Sequence, residues 1–181
     1  MKPGENAYQD LFDRSLLHQT EHGDGCTVFP SPQAALWSMM AASLSVTRVL
    51  EIGCGIGYQT AHLASAAPDV IVETIENDPL HADLAEAEFE RLGLANRITI
   101  LRGDAESFLP DLDGPYVLVI EDAGIDYDLW LPDLARLTAR GGVLITSQLA
   151  GKLPGWDPRL PTEALTVVRA SFSYQQAGSK T

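Results

Sequence analysis

A glycine-rich turn between a strand-like run and a helix-like run most constrains how this chain can fold. Residues 49–64 read VLEIGCGIGYQTAHLA, with Gly53, Gly55 and Gly57 at alternate positions. Glycine lets backbone approach a ligand closely, and the helix that follows begins with unpaired backbone N–H groups. The same glycines can serve the geometry of a tight turn alone, so the turn predicts an α/β fold before it predicts a ligand.

The rest of the chain alternates between short β-branched runs and helical patterns. Strands are predicted over residues 48–53, 70–76, 97–103, 116–122 and 142–148, and helices over 58–67, 79–92, 105–109 and 127–138, after two N-terminal helices near 8–16 and 33–44. Such alternation predicts a doubly wound, Rossmann-like α/β fold, with a mostly parallel sheet and helices on both faces. Residues 163–176 alternate in polarity and are predicted to form one or two antiparallel edge strands at the C-terminus.

Length and composition are typical of one globular domain. The chain has 181 residues, of which 45% are hydrophobic and 20% charged, with no low-complexity tract. We expect a helical N-terminal cap over 1–45, a cofactor-binding core over 46–150, and a C-terminal loop and edge strands over 151–181. No apolar run approaches the roughly 20 residues that span a bilayer, and the N-terminus lacks an apolar signal core, so a cytoplasmic location is expected.

Charge and cysteine content narrow the classes of partner. The formal net charge is −13, and no basic cluster offsets it, which disfavours nucleic acids and anionic membranes and favours a small-molecule partner. Cys26 and Cys54 lie far apart in different kinds of segment. They predict two free thiols rather than a disulfide framework or a four-thiolate zinc site.

Acidic residues stand at the carboxyl ends of consecutive strands, where an open α/β sheet binds its ligand. Glu76 follows the glycine turn by about 20 residues and can accept both hydrogen bonds of a ribose diol. Asp104 can reach an adenine amino group, or it can cap the short helix after it. Glu51 would repel a pyrophosphate and suits an ammonium group. This set favours S-adenosylmethionine, which carries an ammonium, a sulfonium and a ribose diol but no phosphate, over a nicotinamide dinucleotide.

Three segments carry a resemblance to a known family: VLEIGCGIGYQTAHLA, ETIENDPLHADLAEAEFERLGLANRITILRGDAESFLPDL and GGVLI. They resemble the class I S-adenosylmethionine-dependent methyltransferases, and in particular the catechol and caffeoyl-CoA O-methyltransferase-like branch, over about residues 28–150. The resemblance implies S-adenosylmethionine as cofactor and S-adenosylhomocysteine as product. It implies that the three glycines lie against the methionine portion. The other implied cofactor-binding residues are Glu51 near the ammonium group, Tyr58, Glu76 at the ribose, Asn77, Asp104 and Ala105 around the adenine, and Glu121.

The metal-binding pattern of that branch is degenerate in this sequence. Members commonly bind a divalent cation through an aspartate after the fourth strand and an Asp–Asn pair after the fifth. The matching positions here are Glu121, Gly124 and Ser147–Gln148. Hard cations such as Mg²⁺ need several oxygen ligands, and only one carboxylate clearly remains, so we predict a metal-independent enzyme with no metal-ligating residues. The alternative is a weak site formed by Glu121 with Asp122 beside it.

Without a metal, a side chain must accept the acceptor's proton, unless the acceptor is already nucleophilic. Glu121 and Asp122, at the tip of the fourth strand, are the first candidates for a general base or an acceptor-orienting group. A carboxylate that merely caps the next helix or complements the sulfonium is the alternative. His18 and His22 are the second candidates for a catalytic base, as part of a lid at the end of the first helix.

Two other histidines, His62 and His81, lie within predicted helices and are expected to be structural or exposed.

The sequence thus predicts a methyltransferase acting on oxygen, nitrogen or an aromatic carbon of a small molecule, as in natural-product metabolism. Two alternatives are kept: a nicotinamide-dependent Rossmann oxidoreductase and a non-catalytic S-adenosylmethionine-binding module. The acceptor and the oligomeric state stay open, including a homo-oligomer in which a neighbouring subunit completes the pocket.

Overall fold

The computed structural model of the chain describes residues 5–23, 26–146 and 165–169, and every structural statement below refers to these. Its elements, in chain order, are α1 (Glu5–Glu21), α2 (Ala34–Ser43), β1 (Arg48–Ile52), α3 (Tyr58–Ala64), β2 (Ile71–Glu76), α4 (Pro79–Leu92), β3 (Ile98–Arg102), α5 (Ala105–Phe108), β4 (Tyr116–Glu121), α6 (Tyr127–Leu137), β5 (Thr138–Thr146) and β6 (Leu165–Arg169). A short 3₁₀ helix, Ala95–Arg97, precedes β3. None of the helices in these ranges is both long and apolar enough to cross a membrane.

The six strands form one sheet in the order β3-β2-β1-β4-β5-β6. All neighbouring strands run parallel. The strand order reverses direction between β1 and β4, which pair with Ile52 opposite Glu121. A crevice opens at such a switch point, outside the carboxyl ends of the strands. The predicted doubly wound α/β fold is therefore confirmed, and its topology places the ligand site beside the glycine turn.

The predicted antiparallel edge strand is wrong. β6 pairs with β5 in parallel register, from Gly142 opposite Leu165 to Thr146 opposite Arg169. Polarity alternation has the same period in either direction, so it could not decide the orientation of this strand. The connection over residues 147–164 exceeds the dozen or so residues that a parallel crossover needs. The predicted loop over 151–161 and the remainder of 163–176 lie outside the described residues.

Helices cover both faces of the sheet, each over its own apolar layer. One layer joins alternate strand residues to helices α1–α4 and includes Leu11, Trp37, Val49, Phe89, Leu118 and Ile145. The other joins the opposite alternates to α5 and α6 and includes Leu50, Ile52, Leu109, Val119, Leu131 and Leu134. Successive strand residues point to opposite faces, so strands that are covered on both sides read as continuous apolar runs.

Helix α4 shows how local sequence sets the bounds of an element. Asp78 caps its start, because its carboxylate accepts the backbone N–H groups of Leu80 and His81, and Pro79 occupies the first turn. Gly93 ends the helix at φ +70°, a left-handed conformation that favours glycine. The structure confirms the predicted bounds of 79–92. By comparison α3 ends at Ala64, three residues before its predicted end, and β5 begins directly after α6.

Candidate functional site

A cavity of about 1330 Å³ lies at the carboxyl ends of β1 to β4. The glycine turn and the first residues of α3, Tyr58 and Gln59, form one wall, and the ends of β2 and β3 form another. The far side is closed by the end of α1 and by residues 26–32. The cavity therefore joins the N-terminal cap to the sheet, and it is large enough for a nucleoside-bearing ligand and a second small molecule.

The backbone conformation and the packing of the turn require glycine at these positions, whether or not a ligand binds. Gly53, Gly55 and Gly57 have φ values of +89°, +52° and +91°, which L side chains rarely adopt. A Cβ on Gly57 would lie 2.6 Å from Cε1 of Phe89, and one on Gly55 would lie 3.2 Å from Cγ1 of Val28. Gly53 and Gly55 line the cavity, whereas Gly57 packs on α4. Two of the three glycines are therefore placed to approach a ligand.

Glu76 lies in the cavity wall where a ribose-binding residue is predicted. Its Oε2 accepts the Gly55 N–H at 2.8 Å and its Oε1 accepts the Asp78 N–H at 3.0 Å. The side chain is only 7% exposed, so these bonds hold the carboxylate in one position. A carboxylate offers about four lone-pair sites, which leaves capacity on both oxygens for two hydroxyl donors. The placement of Glu76 fits a ribose diol, and its binding role stays a prediction.

Asp104, Asn77 and Ala105 also line the cavity, next to Glu76. Asp104 precedes α5, but its side chain makes no capping hydrogen bond to that helix. Its Oδ1 instead accepts a hydrogen bond from Asn77 Nδ2 at 3.1 Å. This geometry favours the predicted binding role of Asp104 over the alternative of a helix cap.

Glu51 does not reach the cavity wall in this structure. Its carboxylate is fully buried, and its Oε2 accepts hydrogen bonds from the hydroxyls of Thr60 and Thr74, the latter at 2.8 Å. Its Oε1 has no hydrogen-bond partner. Burial raises the pKa of Glu51 to about 7. The side chain thus ties β1 to α3 and β2, and the predicted contact with an ammonium group stays a prediction.

The adjacent carboxylates of Glu121 and Asp122, at the end of β4, point in different directions. Glu121 is fully buried, and its Oε1 accepts the backbone N–H groups of Ala123 at 2.9 Å and Gly124 at 2.7 Å. Burial raises the pKa of Glu121 to about 7. Asp122 lines the cavity, whereas Glu121 holds the turn that follows β4. Of the two predicted catalytic carboxylates, the structure therefore brings Asp122 to the ligand space.

The divalent-cation site of the resembled branch does not fit the described residues. The Glu121 carboxylate that would replace the first aspartate ligand is turned into the backbone of its own loop. Gly124 brings no side chain to the lysine position, and Ser147 and Gln148 lie outside the described ranges.

Three histidines and a cysteine meet at the edge of the cavity. The rings of His18, His22 and His81 lie 4.7–5.1 Å apart, centroid to centroid. Cys26 Sγ is 3.8 Å from His81 Nε2, and desolvation lowers the pKa of His18. The sequence predicts that His81 is structural or exposed. In the structure, His81 is buried and lines the cavity. His62 lies apart, packed between Tyr8 and Tyr58.

Sequence reasoning anticipated two members of this group and missed the others. His18 and His22 are four residues apart at the end of α1, a spacing that places them on one helix face. Nothing local in the sequence tells that this face meets the first turn of α4, which carries His81, or the loop at Cys26. Their proximity arises from tertiary packing. Gln59, another cavity residue, was also not anticipated.

Comparisons with known proteins agree with this geometry. Residues 49–142 match a family described as a methyltransferase domain. The chain is 36% identical over 123 residues to a catechol O-methyltransferase from Mycobacterium tuberculosis, which covers 65% of this chain and 54% of that protein. It is 31% identical over 122 residues to a protein-L-isoaspartate O-methyltransferase from Methanocella arvoryzae, covering 58% and 65% of the two chains.

A solved structure shows the same fold. The O-methyltransferase TomG from Streptomyces achromogenes, crystallised in complex with SAM, superposes with a TM-score of 0.68 at 24% identity, over 86% of this chain and 74% of TomG. At this identity the similarity supports the fold alone. The chain spans about half the length of the two catechol O-methyltransferases that it matches.

Proposed function

Because this chain belongs to the methyltransferase domain family, we propose that it is a class I enzyme of the catechol and caffeoyl-CoA O-methyltransferase type, which transfers a methyl group from S-adenosylmethionine to an oxygen of a small molecule. S-adenosylhomocysteine is the second product. The observation that carries this proposal is the position of Glu76, a buried carboxylate fixed by two backbone N–H groups at the switch point of the sheet.

The described residues divide the cavity into portions suited to the parts of S-adenosylmethionine. Glu76 would accept the two ribose hydroxyls. Asn77, Asp104 and Ala105 would surround the adenine, and the backbone from Gly53 to Tyr58 would follow the methionine portion. TomG, which has the same fold, was crystallised in complex with SAM, and the same ligand is proposed for this cavity.

On the acceptor side of the cavity, the proposed methyl transfer depends on Asp122. When bound, S-adenosylmethionine supplies an electrophilic methyl group on its sulfonium. Asp122 would orient the acceptor hydroxyl and accept its proton, since the Glu121 carboxylate is committed to its own loop. Holding both molecules in one cavity contributes several kcal/mol by proximity, as an order of magnitude. Transfer by this route needs no Mg²⁺.

A calorimetric titration with S-adenosylhomocysteine, with NAD as the comparison ligand, tests the cofactor. We expect saturable binding of S-adenosylhomocysteine and none of NAD. Glu76→Gln should weaken binding about 10- to 100-fold, because it replaces hydrogen bonds to a charged group worth about 1.5–3 kcal/mol. Glu73→Gln is the matched control and should bind as wild type, because Glu73 lies on the same strand as Glu76 but its carboxylate pairs with Arg48 of β1. Tight NAD binding would favour the oxidoreductase, and equal losses in the two variants would remove Glu76 from the site.

A transfer assay with labelled S-adenosylmethionine tests the reaction. Catechols, other phenols and amines serve as acceptors, with and without added Mg²⁺. We expect transfer to a phenolic oxygen at a rate that Mg²⁺ does not change and that Asp122→Asn lowers. Tight cofactor binding without transfer to any acceptor would favour the non-catalytic module instead.

A further inference from the structure

The side chains of His18, His22, Cys26 and His81 converge at one point beside the cavity. Each offers one potential ligand atom, and the four atoms all lie within 4.8 Å of one another. They come from three separate parts of the fold: the last turn of α1 and the residue after it, the loop that follows, and the first turn of α4. We propose that these four side chains bind one Zn²⁺ ion.

The distances fit tetrahedral coordination. Zinc binds imidazole nitrogen at about 2.0–2.1 Å and thiolate sulfur at about 2.3 Å, so in a tetrahedral site two ligand nitrogens lie about 3.3–3.4 Å apart, and a nitrogen and a sulfur about 3.5–3.6 Å apart. His22 Nδ1 is 3.3 Å from His81 Nε2, and Cys26 Sγ is 3.8 Å from the same nitrogen. His18 Nε2 is buried and has no hydrogen-bond partner. A metal would satisfy this nitrogen and close the tetrahedron.

The donor set selects the kind of metal. Three imidazoles and one thiolate suit zinc and related transition metals, whereas Mg²⁺ and Ca²⁺ prefer oxygen. Four protein ligands leave no open position, which is the arrangement of a structural rather than a catalytic zinc site. The site is therefore distinct from the Mg²⁺ site that the described residues fail to form.

One carboxylate lies behind the His81 ring, and a second lies on the side of the ring nitrogen that faces the other ligands. His81 Nδ1, the ring nitrogen turned away from the other ligands, is 3.7 Å from Glu76 Oε1. Asp78 Oδ2 is 3.8 Å from its Nε2. A carboxylate behind a ligating histidine orients the ring and increases its basicity. Glu76 thus borders both the zinc site and the cavity, and zinc would fix the end of α1 and the loop at Cys26 to that cavity's wall. His18 and His22 then act as ligands rather than as catalytic bases.

Cobalt substitution tests the site in the full chain, because a thiolate bound to Co²⁺ gives a charge-transfer band and tetrahedral Co²⁺ absorbs strongly in the visible. After chelator treatment, we expect one equivalent of Co²⁺ to produce both features and Zn²⁺ to displace it. Cys26→Ser should lose the charge-transfer band. His22→Ala, at an exposed position, should weaken Co²⁺ binding at least 10-fold. Cys54→Ser and His62→Asn, which change a thiol and an imidazole outside the group, should keep the full spectrum.

A thermal measurement guards against a variant that simply misfolds. Zn²⁺ should raise the melting temperature of the wild type and of His62→Asn but leave those of Cys26→Ser and His22→Ala unchanged, with each metal-free variant showing a cooperative transition. Absence of stoichiometric Co²⁺ binding in the wild type overturns the proposal. So does an unchanged spectrum in Cys26→Ser, which would place the metal elsewhere.

Discussion

Glu51 and Glu121 lie on the neighbouring strands β1 and β4, one residue apart in register, because Glu51 is opposite Ile120 and Glu121 is opposite Ile52. Both are fully buried, and burial raises the pKa of each to about 7. Their hydrogen-bond donors, two threonine hydroxyls for Glu51 and backbone N–H groups for Glu121, offset only part of the lost hydration. In the folded chain both groups are therefore protonated at pH values well below 7 and ionise only as pH rises through neutrality.

The free energy of unfolding should respond to Glu51 in a defined direction. Its pKa rises from 4.5 to about 7 on folding, so its stabilising contribution is complete below pH 4.5 and is lost as pH rises through 7. Glu51→Gln keeps an acceptor for the threonine hydroxyls but cannot ionise. Relative to wild type, the variant should gain stability between pH 4.5 and 7, by up to about 3 kcal/mol.

Urea unfolding at several pH values measures this difference. Glu90→Gln, on the exposed side of α4, is the surface control, and the excess of the Glu51→Gln effect over it is the quantity to follow. A difference that stays constant with pH, or that falls as pH rises, would show that Glu51 is ionised in the folded protein at all these pH values.

At the scale of elements, the glycine turn connects local conformation to packing between helices. Gly57 combines φ +91° with a Phe89 ring that would lie 2.6 Å from an added Cβ. Gly93 has φ +70°, but an added Cβ there meets nothing within 4 Å. An alanine at either position would strain the backbone, but only an alanine at Gly57 would also overlap a neighbouring side chain. Comparing the two positions therefore separates the cost of strain from the cost of overlap.

Replacing each glycine by alanine should therefore cost different amounts. Gly93→Ala should lower the free energy of unfolding by about 1–2 kcal/mol, from left-handed strain alone. Gly57→Ala should lose a further 1–3 kcal/mol or so, because the Phe89 ring sits in a packed core. Denaturant midpoints at constant m value report both losses. Equal losses would mean that the ring moves aside without cost.

The elements were predictable to the extent that their causes are local. Neighbouring residues determine the apolar runs of β1 to β5 and the bounds of α4 between Asp78 and Gly93. They do not determine the direction of β6, because its polarity pattern fits either orientation. The sequence pattern also does not show which way the side chains at the strand ends point. Glu51 and Glu121 point into the protein. Glu76, Asp104 and Asp122 reach the cavity. The histidine and cysteine group depends on how α1 docks against α4, which no local pattern encodes.

At the scale of the whole molecule, the cavity is shared between the N-terminal cap and the sheet. Ser15 and Gln19 of α1, with His22 directly after the helix, line it from one side, opposite Glu76 and Asp104 at the strand ends. An ion pair between Arg14 and Glu88 at 2.7 Å fastens α1 to α4, although such a partly exposed pair contributes only about 0–1 kcal/mol. A ligand that touches both sides would add further contacts between them.

Ligand binding should therefore stabilise the cap as well as the sheet. We expect S-adenosylhomocysteine to slow amide hydrogen exchange in α1 and in residues 26–33 by at least several-fold, because opening either segment would then require loss of the ligand. Mass spectrometry of the exchanged peptides provides the measurement, made at constant metal content. Helix α6, whose Leu131 and Leu134 pack on the opposite face of the sheet, is the internal reference and should change little. Slowing confined to the peptides of β1 to α4 would show that the ligand is held by the sheet alone and that the cap leaves the cavity open.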